Sequence, residues 1–156
     1  DGSEDPIEIL QFYKKFEEGY DCVFGTRFLD KSFIENYPRF KLFLNRLGNN
    51  FLSFVSGARY NDFTSGFKCY DLEKLKNVGP FFSNGFNLNV EMSLKFYLSG
   101  TRMAVMKNSW RERKTGISKF NVIIESKNFI FTILYILLKN KFLILLNLAK
   151  KLLKIN

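Results

Sequence analysis

The sequence YDCVFGTRF at residues 20–28 indicates the fold class of this chain. Val23 and Phe24 are apolar and Gly25 follows them, and a short apolar run that ends at glycine is typical of a β-strand. Upstream, the Asp-Pro pair at residues 5–6 precedes a helical pattern, because proline and acidic residues suit the first turn of a helix. The segment therefore predicts a strand that follows a helix.

The chain after this strand continues to alternate between helical and strand patterns. Apolar residues recur at helical spacing through residues 39–56, and Gly57 ends the pattern. This apolar stripe consists of Phe40, Phe43, Leu44, Leu47, Phe51, Phe54 and Val55. A further helix is predicted at residues 89–98 and a further strand at 101–110. The alternation predicts an α/β layer architecture.

Basic residues are concentrated in the last third of the chain. The 156 residues include 24 Lys and Arg against 15 Asp and Glu, a net charge of +9. Residues 1–101 hold 12 basic and 13 acidic side chains, whereas residues 102–156 hold 12 basic and 2 acidic ones. A basic segment of this kind favours phosphate groups, whether they belong to a nucleic acid, a phosphorylated substrate or an anionic membrane.

The absence of histidine restricts the chemistry of the chain. It excludes a Ser-His-Asp or Cys-His triad, a histidine-ligated zinc and a histidine general base within these residues. Two cysteines, Cys22 and Cys69, are too few for a disulfide scaffold, and we expect both to be reduced in the core. The groups that remain available for catalysis are carboxylates, Arg, Lys, hydroxyl groups and an oxygen-ligated metal.

The C-terminal tail is strongly apolar but carries lysines. Residues 129–138 form an apolar run that only Thr132 breaks, and Lys139 and Lys141 separate it from a second run at 142–146. A spanning helix needs about 20 mostly apolar residues, so this interruption argues against a single span. Beyond it, leucines and lysines take opposite sides of a helix, which predicts an amphipathic helix in the membrane interface. A surface helix packed on its own domain is the alternative.

Four polar clusters lie at the ends of the predicted elements, where functional residues often occur. They are DGSEDP at residues 1–6, GTR at 25–27, DFTSGFK at 62–68 and WRERKTGISK at 110–119. Taken singly, each fits a helix cap, a tight turn or a solvated loop. Their order and spacing along the chain are more specific than any one of them.

Taken together, these clusters resemble the inverting family-two glycosyltransferases of GT-A fold, most closely the dolichyl-phosphate mannose synthase-like, or polyprenyl-phosphate glycosyltransferase, branch. That branch carries, in order, Asp-x-Asp, Gly-Ser/Thr-Arg, an Arg-bearing helix, Asp-x-Thr-Ser-Gly-Phe-Arg/Lys, Gly-Phe/Tyr before a Glu-bearing helix, and aromatic-x-x-Arg-x-x-Gly-x-Ser-Lys. The matching positions here are Asp1 and residues 25–27, 39–49, 62–68, 85–91 and 110–119. The resemblance covers about residues 1–125.

The resemblance implies a fold and a domain organisation. Residues 1–119 are expected to be the C-terminal part of a GT-A (Rossmann-like) α/β catalytic domain, whose nucleotide-binding N-terminal part lies outside this sequence. Residues 120–156 are expected to form amphipathic, basic helices at the membrane interface. On this basis we expect the chain alone to be inactive.

The resemblance also implies an activity. The expected enzyme transfers a sugar from a nucleotide-sugar donor to a polyprenyl (dolichyl-type) phosphate, with inversion and with Mg²⁺ or Mn²⁺, at the cytoplasmic face of a membrane as a peripheral or monotopic protein. A related transferase that acts on a glycan or lipid-linked sugar hydroxyl is the alternative.

A non-enzymatic hypothesis is a basic module that binds nucleic acid or membranes. No nucleic-acid partner is expected, because the basic residues of the tail interleave with Leu and Ile rather than with stacking aromatics. The sequence carries no signal for an oligomeric state.

Individual roles follow from the same resemblance. Catalysis is assigned to Asp1, Arg27 and Arg113. Metal binding is assigned to Asp1 and Ser3, and Ser3 stands where many family members carry Gln. Phosphate binding is assigned to Arg27, Arg39, Arg113, Ser118 and Lys119, with Arg46 as the alternative to Arg39. The acceptor floor is assigned to Asp62, Thr64, Ser65, Gly66 and Glu91. For a hydroxyl acceptor, Asp62 or Glu91 would be the general base.

Overall fold

A computed structural model describes residues 2–29, 34–112 and 122–153. Its helices are α1 (Glu8–Glu17), α2 (Arg39–Ser56), α3 (Leu72–Val78), α4 (Asn87–Leu98) and α5 (Val122–Leu153). Its strands are β1 (Cys22–Thr26), β2 (Ile34–Glu35), β3 (Lys68–Tyr70), β4 (Met103–Lys107) and β5 (Trp110–Arg111). Helices and strands alternate, so the predicted α/β class is confirmed.

The central strand of the main sheet is β1, the strand that YDCVFGTRF predicts. It pairs antiparallel with β3, where Cys22 lies opposite Tyr70, and parallel with β4, where Thr26 lies opposite Lys107. All five residues of β1 are buried, as expected of a strand that is covered on both faces. A second, short sheet pairs β2 with β5 in parallel.

Apolar clusters on the two faces of the main sheet give the fold three layers. On one face, Phe12 of α1 packs with Val23 and Ala104. Successive residues of a strand point to opposite faces, and Cys22 and Phe24 accordingly belong to the other cluster. That larger cluster contains Cys22, Phe24, Leu52, Ala58, Tyr60, Phe63, Val90, Leu94, Phe96, Ile133 and Ile136. Helix α1 therefore covers one face of the sheet, and α2, α4 and α5 cover the other.

Helix α2 has the predicted bounds, but its apolar stripe faces outward. Most of the large apolar side chains of the stripe are exposed, with Phe40 at 70% and Phe54 at 86%. Asn49 and Leu52 are the residues of α2 that are buried. Ser53 also points inward, and its Oγ donates a hydrogen bond to the Tyr60 carbonyl oxygen at 2.5 Å. The polar side of α2 thus packs on the domain.

The C-terminal tail forms one continuous helix rather than separate helices. Lys139 and Lys141 do not interrupt α5, since lysine is a good helix former. Lys127–Ala149 is long and apolar enough to cross a membrane by length and composition, in spite of the two lysines. Ile133 and Ile136 are buried in the core, whereas the described side chains from Lys141 onward are exposed.

Candidate functional site

The candidate site lies at the carboxyl ends of the parallel strands β1 and β4. Loops at this edge of an α/β sheet commonly carry ligand-binding residues. The chain leaves β1 at Arg27 and leaves β4 at Asn108, whose backbone N–H donates to the Thr26 carbonyl oxygen at 3.1 Å. The edge therefore brings GTR and the start of WRERKTGISK together, as their shared position at strand ends suggests.

A buried ion pair between Arg27 and Asp62 forms the centre of the site. The Nε of Arg27 donates to Oδ2 of Asp62 at 2.8 Å, and its Nη2 donates to Oδ1 at 2.6 Å. The Arg27 backbone N–H also donates to Oδ2, at 2.9 Å. Asp62 is fully buried and Arg27 nearly so. This two-pronged geometry is the strongest form of an Arg–carboxylate contact.

The pair is charged, and its two charges compensate each other. Burial lowers the pKa of Arg27, but the hydrogen bonds and the negative charge of Asp62 outweigh burial and raise this pKa above its ordinary value. Arg27 is therefore a permanent cation that is already neutralised within the protein. A phosphate bound here would meet less attraction from Arg27 than from an unpaired arginine.

Tyr60 and Gly25 fix the loop that carries Asp62. The Tyr60 hydroxyl lies 2.8 Å from the Gly25 carbonyl oxygen and 2.5 Å from the Asp62 carbonyl oxygen, so it can donate to either. Gly25 is required for close approach, because a Cβ at this position would lie 2.5 Å from the Phe67 carbonyl oxygen. The glycine of GTR and the loop DFTSGFK are thus fitted to one another.

Thr64 connects this pair to the inner side of α2. Its Oγ1 has three donors within hydrogen-bond distance, Arg27 Nη2 at 3.0 Å, Asn45 Nδ2 at 2.9 Å and Asn49 Nδ2 at 3.2 Å, and it can accept from two of them at a time. The same hydroxyl donates to Oδ1 of Asp62 at 3.3 Å. One threonine thus joins the ion pair to the helix whose other side is apolar and exposed.

Arg46, rather than Arg39, contacts the neighbourhood of the ion pair. The Arg46 guanidinium lies 4.3 Å from the centroid of the Phe28 ring, and the Arg27 guanidinium lies 5.4 Å from the same ring. Lys41 lies over the Tyr37 ring. Arg39 begins α2 and is exposed, and it makes no hydrogen bond, ion pair or ring contact within the described ranges.

The N-terminal loop and the segment around Trp110 close the other side of the site. The Ser3 carbonyl oxygen accepts a hydrogen bond from the Arg111 backbone N–H at 2.7 Å. The centroid of the Trp110 ring lies 4.4 Å from that of the Tyr37 ring, and the Arg27 guanidinium lies 5.9 Å from the Tyr37 ring. These contacts bring Ser3 and Trp110 to the same edge as Arg27.

Glu4 is a carboxylate of this site that the sequence reasoning missed. Burial raises the pKa of Glu4, although the charge of Arg27 opposes the change, so Glu4 lies within electrostatic range of the ion pair. Its position within DGSEDP is the sequence signal for its presence at the site.

Glu91 is held away from the ion pair by partners of its own. Its carboxylate accepts from the backbone N–H groups of Phe82 and Ser83 and pairs with Lys95 at 2.6 Å. Burial raises the pKa of Glu91, but these hydrogen bonds outweigh burial and leave the pKa below its ordinary value. No contact joins Glu91 to Asp62 or Thr64 in the part of the chain that the structure describes. Its assignment to the acceptor floor gains no geometric support.

The rest of the floor is compact. The Ser65 backbone N–H donates to the Asp62 carbonyl oxygen at 3.1 Å, and the Ser65 Oγ accepts from the Phe67 N–H at 3.2 Å. Gly66 is exposed beside Asn89. Asp62, Thr64, Ser65 and Gly66 therefore lie on one turn between α2 and β3.

The described residues do not form a metal site by themselves. Within residues 2–29, 34–112 and 122–153, no three Asp, Glu or Cys side chains converge as a metal site requires. Ser3 would offer only a neutral oxygen. Asp1, Arg113, Ser118 and Lys119 lie outside the described residues, so their assignments remain predictions.

Comparisons with known proteins identify relatives. No protein-family model matches the chain. It is 24% identical over 123 residues to the polyprenol monophosphomannose synthase of Mycolicibacterium smegmatis, covering 78% of this chain and 46% of that protein. It is 31% identical over 113 residues to the dolichyl-phosphate hexose transferase of Haloferax volcanii, covering 69% of this chain and 46% of that protein. It is 23% identical over 123 residues to the undecaprenyl-phosphate mannosyltransferase of Micrococcus luteus, covering 78% of this chain and 50% of that protein.

The chain spans about half the length of these curated relatives. The matches agree with the motif order in the sequence and with the α/β fold and C-terminal helix of the structure. The chain belongs to the family of polyprenyl-phosphate glycosyltransferases of GT-A fold.

Proposed function

We propose that the chain is the C-terminal part of the catalytic domain of a glycosyltransferase that moves a sugar from a nucleotide-sugar donor to a polyprenyl phosphate. The names of three relatives specify a polyprenyl, dolichyl or undecaprenyl phosphate chemistry. In the proposed reaction, an oxygen of the acceptor phosphate attacks the anomeric carbon of the sugar from the face opposite the nucleotide. The bond from that carbon to the nucleotide oxygen breaks, and the nucleotide leaves with the electron pair.

The observation that carries this choice of acceptor is the state of Asp62. Both of its oxygens accept hydrogen bonds from Arg27, and Oδ1 also accepts from Thr64. The carboxylate of Glu91 is likewise occupied, by Ser83 and Lys95. Neither side chain is free to take a proton from a sugar hydroxyl. A phosphate nucleophile needs no such base, because it is already anionic.

Phosphate groups require cations that the protein has not already neutralised. Arg46 meets Phe28 and the Asn61 carbonyl oxygen rather than a carboxylate, and Lys41 lies over the Tyr37 ring. We therefore assign Arg46 and Lys41 to the acceptor phosphate, whereas Arg27 stays paired with Asp62. Arg39, Arg113, Ser118 and Lys119 keep their proposed phosphate role on the strength of the family resemblance.

A divalent metal also remains a proposal of the resemblance. When bound, such an ion would offset the charge that develops on the departing nucleotide oxygen. The described side chains do not form a site for it, and no step is assigned to it here.

We propose that α2 and α5 attach the enzyme to a lipid bilayer. The stripe of α2 exposes Phe43, Phe51 and Phe54, and an exposed apolar face of this kind needs an apolar partner. The part of α5 beyond Lys141 is rich in exposed leucines, and a helix that is apolar on all sides belongs in a core or in a membrane. Basic residues near both surfaces suit anionic lipid, and a polyprenyl phosphate is found in the bilayer.

A transfer assay tests the proposed reaction. The complete enzyme would be incubated with a radiolabelled nucleotide sugar and membranes that contain polyprenyl phosphate. We expect the label to move into the organic phase and to be released by mild acid, as expected of a sugar bound through phosphate. Transfer into a soluble glycan, with none into the lipid phase, would overturn the proposal.

Glu4 supplies the specific reason to keep a hydroxyl acceptor as the second candidate. Its raised pKa suits a general base, and neither Asp62 nor Glu91 is free for this work. The variant Glu4→Gln distinguishes the two candidates. We expect turnover within about threefold of wild type for a phosphate acceptor, whereas loss of a general base costs about 10²–10⁴-fold. Glu8→Gln controls for nearby structure, because Glu8 accepts from the Ser109 N–H at the same edge.

A further inference from the structure

Lys68 lies beside the candidate site, and the proposed reaction assigns no role to its side chain. Lys68 begins β3 and ends the motif DFTSGFK. The residue is half-buried, with its ammonium group directed inward beneath the Asp62–Ser65 turn. It makes no ion pair with a carboxylate in the described parts of the chain. Burial of a cation without a paired anion costs free energy unless other groups of the protein compensate its charge.

Carbonyl and hydroxyl oxygens compensate the charge of Lys68. Its Nζ donates to the Phe63 carbonyl oxygen at 3.0 Å, to the Ser65 carbonyl oxygen, and to Ser93 Oγ at 2.7 Å. An ammonium group has three hydrogens, and these three acceptors use all of them. The rings of Phe24 and Tyr60 lie 5.3 and 5.7 Å from the Nζ atom and add cation–π attraction.

These contacts hold the turn that carries the ion pair. The Phe63 and Ser65 carbonyl groups flank Thr64, and Thr64 and Asp62 together hold Arg27. Ser93 belongs to α4, so Lys68 also ties the turn to a helix of the core. Displacement of the ammonium would release the peptide groups on both sides of Thr64.

We infer that Lys68 is a positioning residue, whose ammonium group fixes the Asp62–Ser65 turn and thereby the geometry of the Arg27–Asp62 pair at the proposed acceptor site. The inference rests on the proposed function for its catalytic consequence. Its structural part, that Lys68 orients the turn, stands on the contacts alone. Burial lowers the pKa of Lys68 to about 7 against the opposing effect of Asp62, so the charged form of this side chain carries a desolvation cost.

Two substitutions separate positioning from simple packing. Lys68→Met keeps the length of the side chain and removes its charge and donors. Lys68→Arg keeps a cationic donor, and arginine is the other residue that the resembling family carries here. We expect turnover of the complete enzyme to fall about tenfold or more in Lys68→Met and to return to within about threefold of wild type in Lys68→Arg. The melting temperature of Lys68→Met should stay within a few degrees of wild type, because the loss of the three hydrogen bonds is partly offset by the removal of a charge from a poorly solvated position.

Trp110 gives a readout that does not depend on the acceptor. It is the one tryptophan of the chain, and its ring packs at a tilt against the Tyr37 ring, which lies 5.9 Å from the Arg27 guanidinium. We expect the Trp110 emission to shift in Lys68→Met and to match wild type in Lys68→Arg. Lys76→Met is the matched control, because Lys76 is an exposed lysine of α3 that pairs only with the neighbouring Glu73 among the described residues.

The outcomes are distinct. Wild-type emission and turnover in Lys68→Met would overturn the inference. If Lys68→Met fails to fold, Ser93→Ala replaces it: this variant removes one acceptor of the ammonium, and several-fold slower turnover with a shifted emission is expected, whereas wild-type behaviour would again overturn the inference. If the wild-type enzyme transfers to another acceptor, the proposed function fails. The ratio of variant to wild-type turnover with that acceptor then still tests Lys68.

Discussion

At the scale of single residues, the site depends on the two-pronged shape of Arg27. The guanidinium donates through Nε and Nη2 to both oxygens of Asp62 and also reaches Thr64. A lysine at this position would keep the charge but offers one nitrogen, which cannot occupy both carboxylate oxygens and the hydroxyl in the same arrangement. One oxygen of Asp62 would then lose its charged donor and keep only a neutral one, the residue 27 backbone N–H or the Thr64 hydroxyl.

Arg27→Lys is therefore expected to slow the enzyme without unfolding it. We expect kcat to fall about 10–100-fold, because the pair loses its fixed geometry while its charge balance is kept. The transfer assay and a thermal melt measure the two effects. Arg59→Lys is the control, since Arg59 is exposed on the surface. Turnover at the wild-type level in Arg27→Lys would remove this pair from the catalytic machinery.

Glu91 leads to a prediction about stability rather than activity. Its carboxylate accepts from two backbone N–H groups and pairs with Lys95, and its pKa is held below the ordinary value of 4.5. A carboxyl with a lowered folded-state pKa stabilises the fold above its unfolded pKa, and this contribution is lost as the pH falls through the folded value. Glu91→Gln should lower the free energy of unfolding by about 1–3 kcal/mol near pH 7.

The difference in the free energy of unfolding between wild type and Glu91→Gln should shrink below about pH 4.5, where the Glu91 carboxylate of wild type also loses its charge. Urea unfolding at neutral and acidic pH measures it. Glu73→Gln is a suitable control, because Glu73 is exposed and pairs with Lys76 on the surface. An equal difference at both pH values would show that the charge of Glu91 is not what stabilises the loop before α4.

The sequence predicted which residue types gather at the site better than it predicted their partners. GTR and DFTSGFK identified Arg27 and Asp62, but not that they pair with each other, because 35 residues separate them and the register of β1 sets their meeting. Glu91 was grouped with Asp62 by motif order alone. Its actual partners, Phe82 and Ser83, are backbone groups, which a sequence pattern does not reveal.

At the scale of elements, the apolar periodicity of α2 predicts the bounds of the helix but not what covers its apolar stripe. The spacing of apolar residues gave the correct bounds of the helix, Arg39–Ser56, and Gly57 ends it in a left-handed conformation as expected. Periodicity defines a stripe but does not say whether core or lipid covers it. That depends on Asn45 and Asn49, whose amides bind Thr64 and so turn the polar side inward.

Substitution of the α2 stripe is expected to affect membrane binding and not folding. Phe43 and Phe54 are exposed, so changing both to Gln should leave the melting temperature within a few degrees of wild type. Burial of one large apolar side chain contributes about 1.5–3 kcal/mol, so loss of both should weaken partition into anionic vesicles at least tenfold. Co-sedimentation with vesicles of phosphatidylglycerol measures the partition.

Leu72→Gln serves as the matched control for this pair. Leu72 is also exposed, but it begins α3 rather than belonging to the stripe. Its substitution should leave vesicle binding unchanged. If the α2 double variant binds vesicles as well as wild type, or if it unfolds, the stripe is not a lipid-facing surface.

At the scale of the whole molecule, α5 joins a packed domain to an exposed apolar segment. Thr132, Ile133 and Ile136 are buried, and Ser83 lies 3.2 Å from the Thr132 hydroxyl. These contacts all lie before Lys139. The described residues beyond Lys141 are exposed, so the fold of the domain does not require them.

The sequence predicted the composition of this tail but not its continuity. The lysines at 139 and 141 suggested a break, yet lysine is compatible with a helix interior, and the helix continues through both. Long lysine side chains can also extend along an apolar helix toward a headgroup region, so their presence does not by itself prevent partial insertion. Composition alone cannot distinguish a helix that lies on a bilayer from one that enters it.

Deletion of residues 139–156 is expected to separate folding from membrane attachment. The truncated protein should keep its unfolding transition, because the buried part of α5 ends at Ile136. Its binding to vesicles should fall sharply, and the remainder should disappear when Phe43 and Phe54 are also changed to Gln. A second full-length variant, Lys139→Gln with Lys141→Gln, tests charge alone. If apolar burial dominates, this variant binds nearly as well as wild type at moderate salt, since salt screens exposed charges over about 8 Å. Undiminished membrane binding of the truncated protein would show instead that the end of α5 packs on protein and that α2 alone holds the enzyme at the bilayer.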